Sequence, residues 1–184
     1  MRIHIVILAL LLPSAAIAAT NRPAPELALT YTWTHANAPD QNCGCFSLNG
    51  GSAVFAYPFA PSFSAVVEAG AVTNGNVNSS GRGLTLSDFL GGLRYSLPRH
   101  ASLEPYSQVL IGVAHASGTM SPGQLGLAAS NSFAFSAGGG VDFRLRKHVA
   151  IRALQADYLL TLLPNGNSGR QNSLRLSTGV VARF

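Results

Sequence analysis

At 184 residues the chain has room for one domain and too little for a comfortable second. Only 10% of its residues are charged, against a usual share of about 25%; that would starve a soluble surface but suits one facing hydrocarbon. The net charge of +5 is scattered, with only Arg144, Arg146 and Lys147 clustered, so no basic face for nucleic acid exists and no nucleic-acid partner is expected.

The first 19 residues read as a secretory signal. Met1-Arg2 is a positive start, residues 5–12 an apolar core, and Ala16-Ile17-Ala18 a small-residue cleavage site. Residues 20–26 form a short Pro-containing lead, expected in the periplasm. Beyond the signal no apolar run reaches the roughly 18 residues that mark a transmembrane helix, although mean hydropathy is +0.26.

Strand one, residues 26–35, alternates Leu27, Leu29, Tyr31 and Trp33 with Ala28, Thr30, Thr32 and Thr34. After a polar loop with Cys43 and Cys45, strand two (48–57) sets Ala53, Phe55 and Tyr57 against Ser52, Val54 and Ala56. A tight turn is expected over 58–61. Strand three (62–73) opposes Phe63, Ala65 and Val67 to Ser64, Glu68 and Gly70. Residues 74–83 (NGNVNSSGRG) have the composition of a loop. Strand four (85–97) alternates Phe89, Leu93 and Tyr95 with Asp88, Gly92 and Arg94, and a turn at 98–101 leads to strand five (103–115). There Val109, Ile111 and Val113 oppose Glu104, Tyr106 and Gln108. A long loop over 117–130 precedes strand six, where Phe133, Phe135, Val141 and Phe143 oppose Ser136, Gly138, Gly140, Asp142 and Arg144.

Strand seven breaks the pattern, because Arg152 is even while Gln155 and Asp157 are odd. One extra residue between them restores a common face, which predicts a β-bulge near Ala153-Leu154. After a loop over 161–171, strand eight sets Leu174, Leu176, Val180, Ala182 and Phe184 against Ser173, Arg175, Ser177, Gly179 and Arg183.

Eight strands, each near the roughly 9–11 residues that cross a bilayer on a tilt, are joined by loops alternately long and short. That asymmetry, and aromatics gathered at the short-turn ends (Tyr57, Phe59, Phe63, Tyr95, Phe143, Phe184) with Trp33, Phe89, Phe133 and Tyr158 toward the other, predict an all-β fold. The expected architecture is an eight-stranded antiparallel up-and-down transmembrane β-barrel over residues 27–184, in contact with outer-membrane lipid.

The stretch SFAFSAGGGVDFRLRKHVAIRALQADYLLT, followed by a loop and SLRLSTGVVARF, resembles the last three strands of OmpA-like outer-membrane barrels, the outer membrane protein β-barrel domain family. Its most specific parts are Gly138-Gly139-Gly140-Val141-Asp142, Arg152, Asp157-Tyr158 and Phe184. The resemblance covers about residues 27–184 and implies the fold and residence in the outer membrane. It also implies that Phe184 is the assembly signal through which the barrel-assembly machinery recognises the last strand. No peptidoglycan-binding domain is expected to follow, so cell-wall anchoring has no support. Family membership alone does not fix a function.

By parity the lumen should hold Glu68, Asp88, Arg94, Glu104, Asp142, Arg152, Asp157, Arg175 and Arg183, with both signs free to pair. Eight strands enclose only enough space for side chains, so a packed ionic plug is expected; the alternative is a narrow ion or small-solute channel lined by the same pairs. Cys43 and Cys45, exported to an oxidising compartment, are disulfide candidates, although their separation makes a tight ring. Free thiols stay open. A metal would need two more ligands and only His35 is near, so no metal or cofactor is expected.

His115-Ala116-Ser117 resembles the His-x-Ser of lipid A deacylases, but no Glu follows Glu104, and the orienting acid would have to be Asp142 or Asp157. No catalysis is expected. The long loops, rich in Gly, Ser, Asn and Pro, suit contact with an extracellular partner. The resulting expectation is a structural or surface-interaction role. Its main rival is a soluble lipocalin-like barrel with inverted faces, placing Leu27, Tyr31, Val109 and Phe135 inside and Arg94, Arg152 and Arg175 outside.

Overall fold

Period-two alternation turns one set of side chains of every strand toward a common axis, and the hydrogen-bonded ladder closes around it. The computed structural model describes residues 24–36, 45–77, 83–98, 100–118, 130–163 and 169–184. The strands are β1 (Glu26–Ala36), β2 (Phe46–Ala60), β3 (Phe63–Asn74), β4 (Leu84–Ser96), β5 (Leu103–Gly118), β6 (Ser130–Arg146), β7 (Val149–Thr161) and β8 (Gln171–Arg183). Each pairs antiparallel with its chain neighbours, and β1 also pairs with β8, which leaves no free edge. The proposed leader, residues 1–19, lies outside the described residues.

The connections alternate as the sequence suggests. Turns at 61–62, 97–102 and 147–148 face one end, and the longer segments after β1, β3, β5 and β7 face the other.

Exposure follows the same parity. Leu29 is 63% exposed and Val109 51%, whereas Arg152 is 0% exposed. Leu27 and Tyr31 are exposed too, and Arg94 and Arg175 are buried, so the inverted, lipocalin-like assignment of the faces is overturned. An outward band of large apolar side chains over a partly charged interior is the arrangement hydrocarbon selects. At the short-turn end Phe59 stacks on Phe63 (6.4 Å between centroids) and Phe63 leans on Tyr95 (5.1 Å). At the long-loop end Trp33, half-exposed, stacks on His35 at 5.5 Å. Among the described residues no helix is long and apolar enough to cross a membrane, which says nothing of strands.

The bulge predicted in β7 is present. Opposite β6, Val141 pairs with Leu154 and Asp142 with Arg152, leaving Ala153 unmatched. Opposite β8 the register shifts between Arg152 and Gln155. Ala153 and Leu154 both face outward, and Arg152, Gln155 and Asp157 are all buried.

Several boundaries differ from the sequence reading. β2 runs through the expected turn to Ala60, with a register shift between Pro58 and Ala60 that lifts Phe59 out of the ladder. Such a bulge lets a strand carry a proline, which cannot donate to the ladder, close to its end. β5 and β6 extend to Gly118 and back to Ser130, and β1, which starts at Glu26 as read, runs one residue further to Ala36. Glu26 belongs to the strand because its carboxylate is held inside the barrel mouth by two arginines.

Candidate functional site: the barrel interior

All nine charged residues assigned to the lumen by parity lie on the inner face. Glu68, Asp88, Arg94, Asp142, Arg152, Asp157 and Arg175 are buried, and Glu104 and Arg183 sit half-buried at the short-turn mouth. They form three connected groups.

The first lies at the mouth. Glu26 receives Arg94 Nη1 on Oε2 at 3.4 Å and Arg183 Nε on Oε1 at 2.8 Å. Glu104 takes Arg183 on one oxygen and Arg144 on the other, with Arg144 Nε at 2.8 Å. The charges thus alternate Arg94–Glu26–Arg183–Glu104–Arg144 across five strands. A cavity of about 50 Å³ opens here, lined in part by Arg94, Glu104, Tyr106 and Arg183.

The second group lies deeper. Arg152 reaches Asp142 with Nε on Oδ1 at 2.9 Å and Nη2 on Oδ2 at 3.2 Å, and Gln155 with Nη1 at 2.8 Å. Asp157 is held by amides: Gln155 Nε2 donates to it at 2.6 Å and Gln108 Nε2 at 3.4 Å. Gln108 Oε1 in turn accepts Arg94 Nη2 at 3.0 Å, which links the groups. Tyr106 lies between the guanidinium carbons of Arg94 and Arg152, 4.1 and 4.9 Å from its ring centroid, and donates its hydroxyl to Gln155 Oε1 at 2.7 Å. Cation–π attraction, stronger where water is excluded, holds two like charges against one ring.

The third group is Arg175 between two carboxylates, Glu68 and Asp88, with Nη1 to Asp88 Oδ2 at 3.1 Å. Removing one partner from such a buried set leaves an uncompensated charge, which is why these clusters act as units.

Small residues make room. A Cβ on Gly140 would run into the Tyr106 ring and hydroxyl, and one on Gly138 into the Asp157 carboxylate and the β7 backbone. The Gly138-Gly139-Gly140 run therefore admits two large polar side chains from neighbouring strands.

The interior is not wholly ionic, which corrects the expected plug. Its long-loop half is packed with Phe46, Leu48, Val72, Leu86, Leu110 and Leu159, all buried. These share parity with the polar lumen residues: Leu110 follows Gln108 by two, and Leu86 precedes Asp88 by two. Five polar participants were also missed, Tyr106 and Gln108 of the β5 polar face among them. Glu26 stood at the strand margin, Arg144 was assigned to a basic cluster, and Gln155 entered only as a register marker.

Elsewhere the candidates do not assemble. His115 faces outward, and its Nδ1 lies 2.6 Å from Asn131 Oδ1, the residue directly across the ladder. Ser117 is half-buried on the same face, whereas Asp142 and Asp157 are inside the lumen and cannot orient His115 through the wall. Cys45 is exposed just before β2 and has no sulfur partner among the described residues; Cys43 lies outside them. Among the described residues no cluster of three His, Cys, Asp or Glu side chains is placed to hold a metal.

The family model described as "Outer membrane protein beta-barrel domain" matches residues 5–184. No curated protein matches the chain. Among solved structures, Neisserial surface protein A superposes with a TM-score of 0.65 at 17% identity, covering 87% of this chain and 97% of its own. Ail, the attachment invasion locus protein of Yersinia pestis, gives 0.61 at 12% identity, covering 89% and 99%. OprG of Pseudomonas aeruginosa gives 0.52 at 13% identity, covering 89% and 97%. At these identities the likeness is one of fold.

Proposed function

The chain belongs to the outer membrane protein beta-barrel domain family, and from that premise we propose that it is a closed barrel of the outer membrane with a structural or surface-interaction role and no catalysis. The observation that carries this reading is the filled interior. Arg152 and Asp142 lock one half, and Leu86, Leu110 and Leu159 pack the other. A lumen occupied by its own side chains directs function to the outside of the barrel, where the Gly-, Ser-, Asn- and Pro-rich sequence of the long connections suits contact with an extracellular partner. The cavity of about 50 Å³ at the mouth, with Tyr106 in its lining, has room for about three waters at ~15 Å³ each.

The same reading includes export by residues 1–19, a disulfide between Cys43 and Cys45, and Phe184 as the assembly signal. Phe184 is 70% exposed and donates its backbone N–H to Pro25 O at 3.1 Å, at the short-turn rim. An aromatic on the lipid side of the last strand is open to an assembly factor.

Conductance separates this reading from the narrow-channel alternative. Purified protein reconstituted into planar bilayers is expected to give no discrete openings in 1 M KCl. A steady unit conductance that changes in an Arg152→Ala variant would instead establish the lumen as an ion path. The enzymatic alternative is tested by overexpression in cells, after which lipid A is expected to be unaltered.

A further inference from the structure

The basic residues outside the lumen divide unevenly between the two ends. Six of the seven acidic residues, Glu26, Glu68, Asp88, Glu104, Asp142 and Asp157, point into the barrel, and the seventh, Asp40, falls in the β1–β2 connection. The short turns therefore carry no carboxylate side chain at all. The β6–β7 turn instead presents Arg146, Lys147 and His148, all exposed, and the β4–β5 turn presents exposed His100.

These turns are neighbours, since β5 and β6 pair directly and Arg144 donates its backbone N–H to Ser102 O at 2.8 Å. The side chains of Arg146 and Lys147 make no ion pair or hydrogen bond among the described residues, unlike those of Arg144 and Arg183, which Glu104 occupies. Immediately on the barrel side of the turns stand outward-facing Leu103, Phe143 and Leu145, each more than two-fifths exposed. The unpaired cations thus begin one residue beyond the lipid-facing apolar band. A phospholipid places its phosphate at that depth, and basic side chains there reach into the headgroup layer.

We propose that this rim, with Arg146 and Lys147 as its donors, holds the headgroup of an anionic phospholipid in the periplasmic leaflet. The proposal rests on the transmembrane reading above and deepens it by naming a lipid class. Lipid is favoured over a soluble anion because the apolar band seats the acyl chains of the same molecule. Each basic side chain near an anionic surface contributes about fivefold to partitioning, so two give roughly a twenty-five-fold preference over a zwitterionic lipid at the site.

The test uses the full chain refolded into phosphatidylcholine vesicles and spin-labelled lipids that report the motionally restricted fraction at the protein. Spin-labelled phosphatidylglycerol is expected to be enriched over spin-labelled phosphatidylcholine. The enrichment should fall to parity in the R146Q/K147Q variant and persist in an R170Q control at the other end. Equal enrichment in wild type and R146Q/K147Q, or none in either, overturns the proposal. Heat-shifted mobility of the same samples reports insertion separately: inserted protein without enrichment defeats the lipid site and leaves the membrane barrel standing, whereas protein that stays soluble defeats both.

Discussion

Arg152 grips Asp142 with two parallel hydrogen bonds, 2.9 and 3.2 Å long, at the position where β7 slips by one residue against β6. Both side chains are buried, so the bulge and the ion pair depend on each other. A bidentate Arg–carboxylate pair is directional as well as attractive, and it registers the two strands.

Breaking one partner should therefore cost more than removing both. Asp142→Ala strands a buried guanidinium and is expected to lower stability by about 3–5 kcal/mol. The double variant Asp142→Leu/Arg152→Met should lie closer to wild type than either single change. Urea titration of the folded band in detergent measures all three. Additive losses would show that the pair is not a unit.

Deleting Ala153 removes the bulge and leaves β7 alternating regularly, with Leu154 directly after Arg152. Arg152, Gln155 and Asp157 would stay in the lumen and Leu154, Ala156 and Tyr158 outside it, in the register that already pairs Leu154 with Val141 and Arg152 with Asp142. A one-residue slip exchanges both faces of a strand, and this deletion causes none, so the variant should still yield a folded band; its absence would show that the bulge itself is required. Ala153→Leu, outward on the bulge, should change stability by less than about 0.5 kcal/mol.

Gly140 tests how tightly Tyr106 is seated between Arg94 and Arg152. A methyl at Gly140 meets the Tyr106 ring and hydroxyl and, at 2.7 Å, the backbone carbonyl of Leu154, so Gly140→Ala should destabilise by about 1–3 kcal/mol through overpacking. Gly91 is the control. The atom that a Cβ there would meet, Val66 O, lies at 3.7 Å, an ordinary contact, and Gly91→Ala should be near neutral in the same titration.

Phe184→Ala tests assembly apart from stability. If the last aromatic is what an assembly factor reads, the variant should refold in detergent like wild type yet accumulate less folded barrel in cells. Equal accumulation would remove Phe184 from that role.

Much of this architecture was legible because an eight-stranded barrel writes its geometry into parity. The even–odd mismatch between Arg152 and Gln155 located the bulge from three polar residues alone. Ladder limits were less legible: Pro58 reads as a turn, yet a bulge at Phe59 carries β2 past it. The lumen was half read. Charged residues at inward positions stand out, but Leu86 and Leu110 at the same parity do not, since apolar side chains are common on both faces. Nor does parity choose partners. Asp157 looks fit for an arginine and is instead held by Gln155 and Gln108, because the height of each side chain along the tilted strands decides which groups meet.

A closed barrel in the outer membrane keeps its hydrogen-bonded ladder in cold detergent and loses it on heating. The outer-membrane fraction of cells expressing the chain is run in SDS with and without boiling. The protein should be found in that fraction, resist the detergent when cold, and change apparent size on heating as the ladder opens. Recovery in the soluble periplasm, with the same mobility hot and cold, would contradict a closed barrel in the outer membrane.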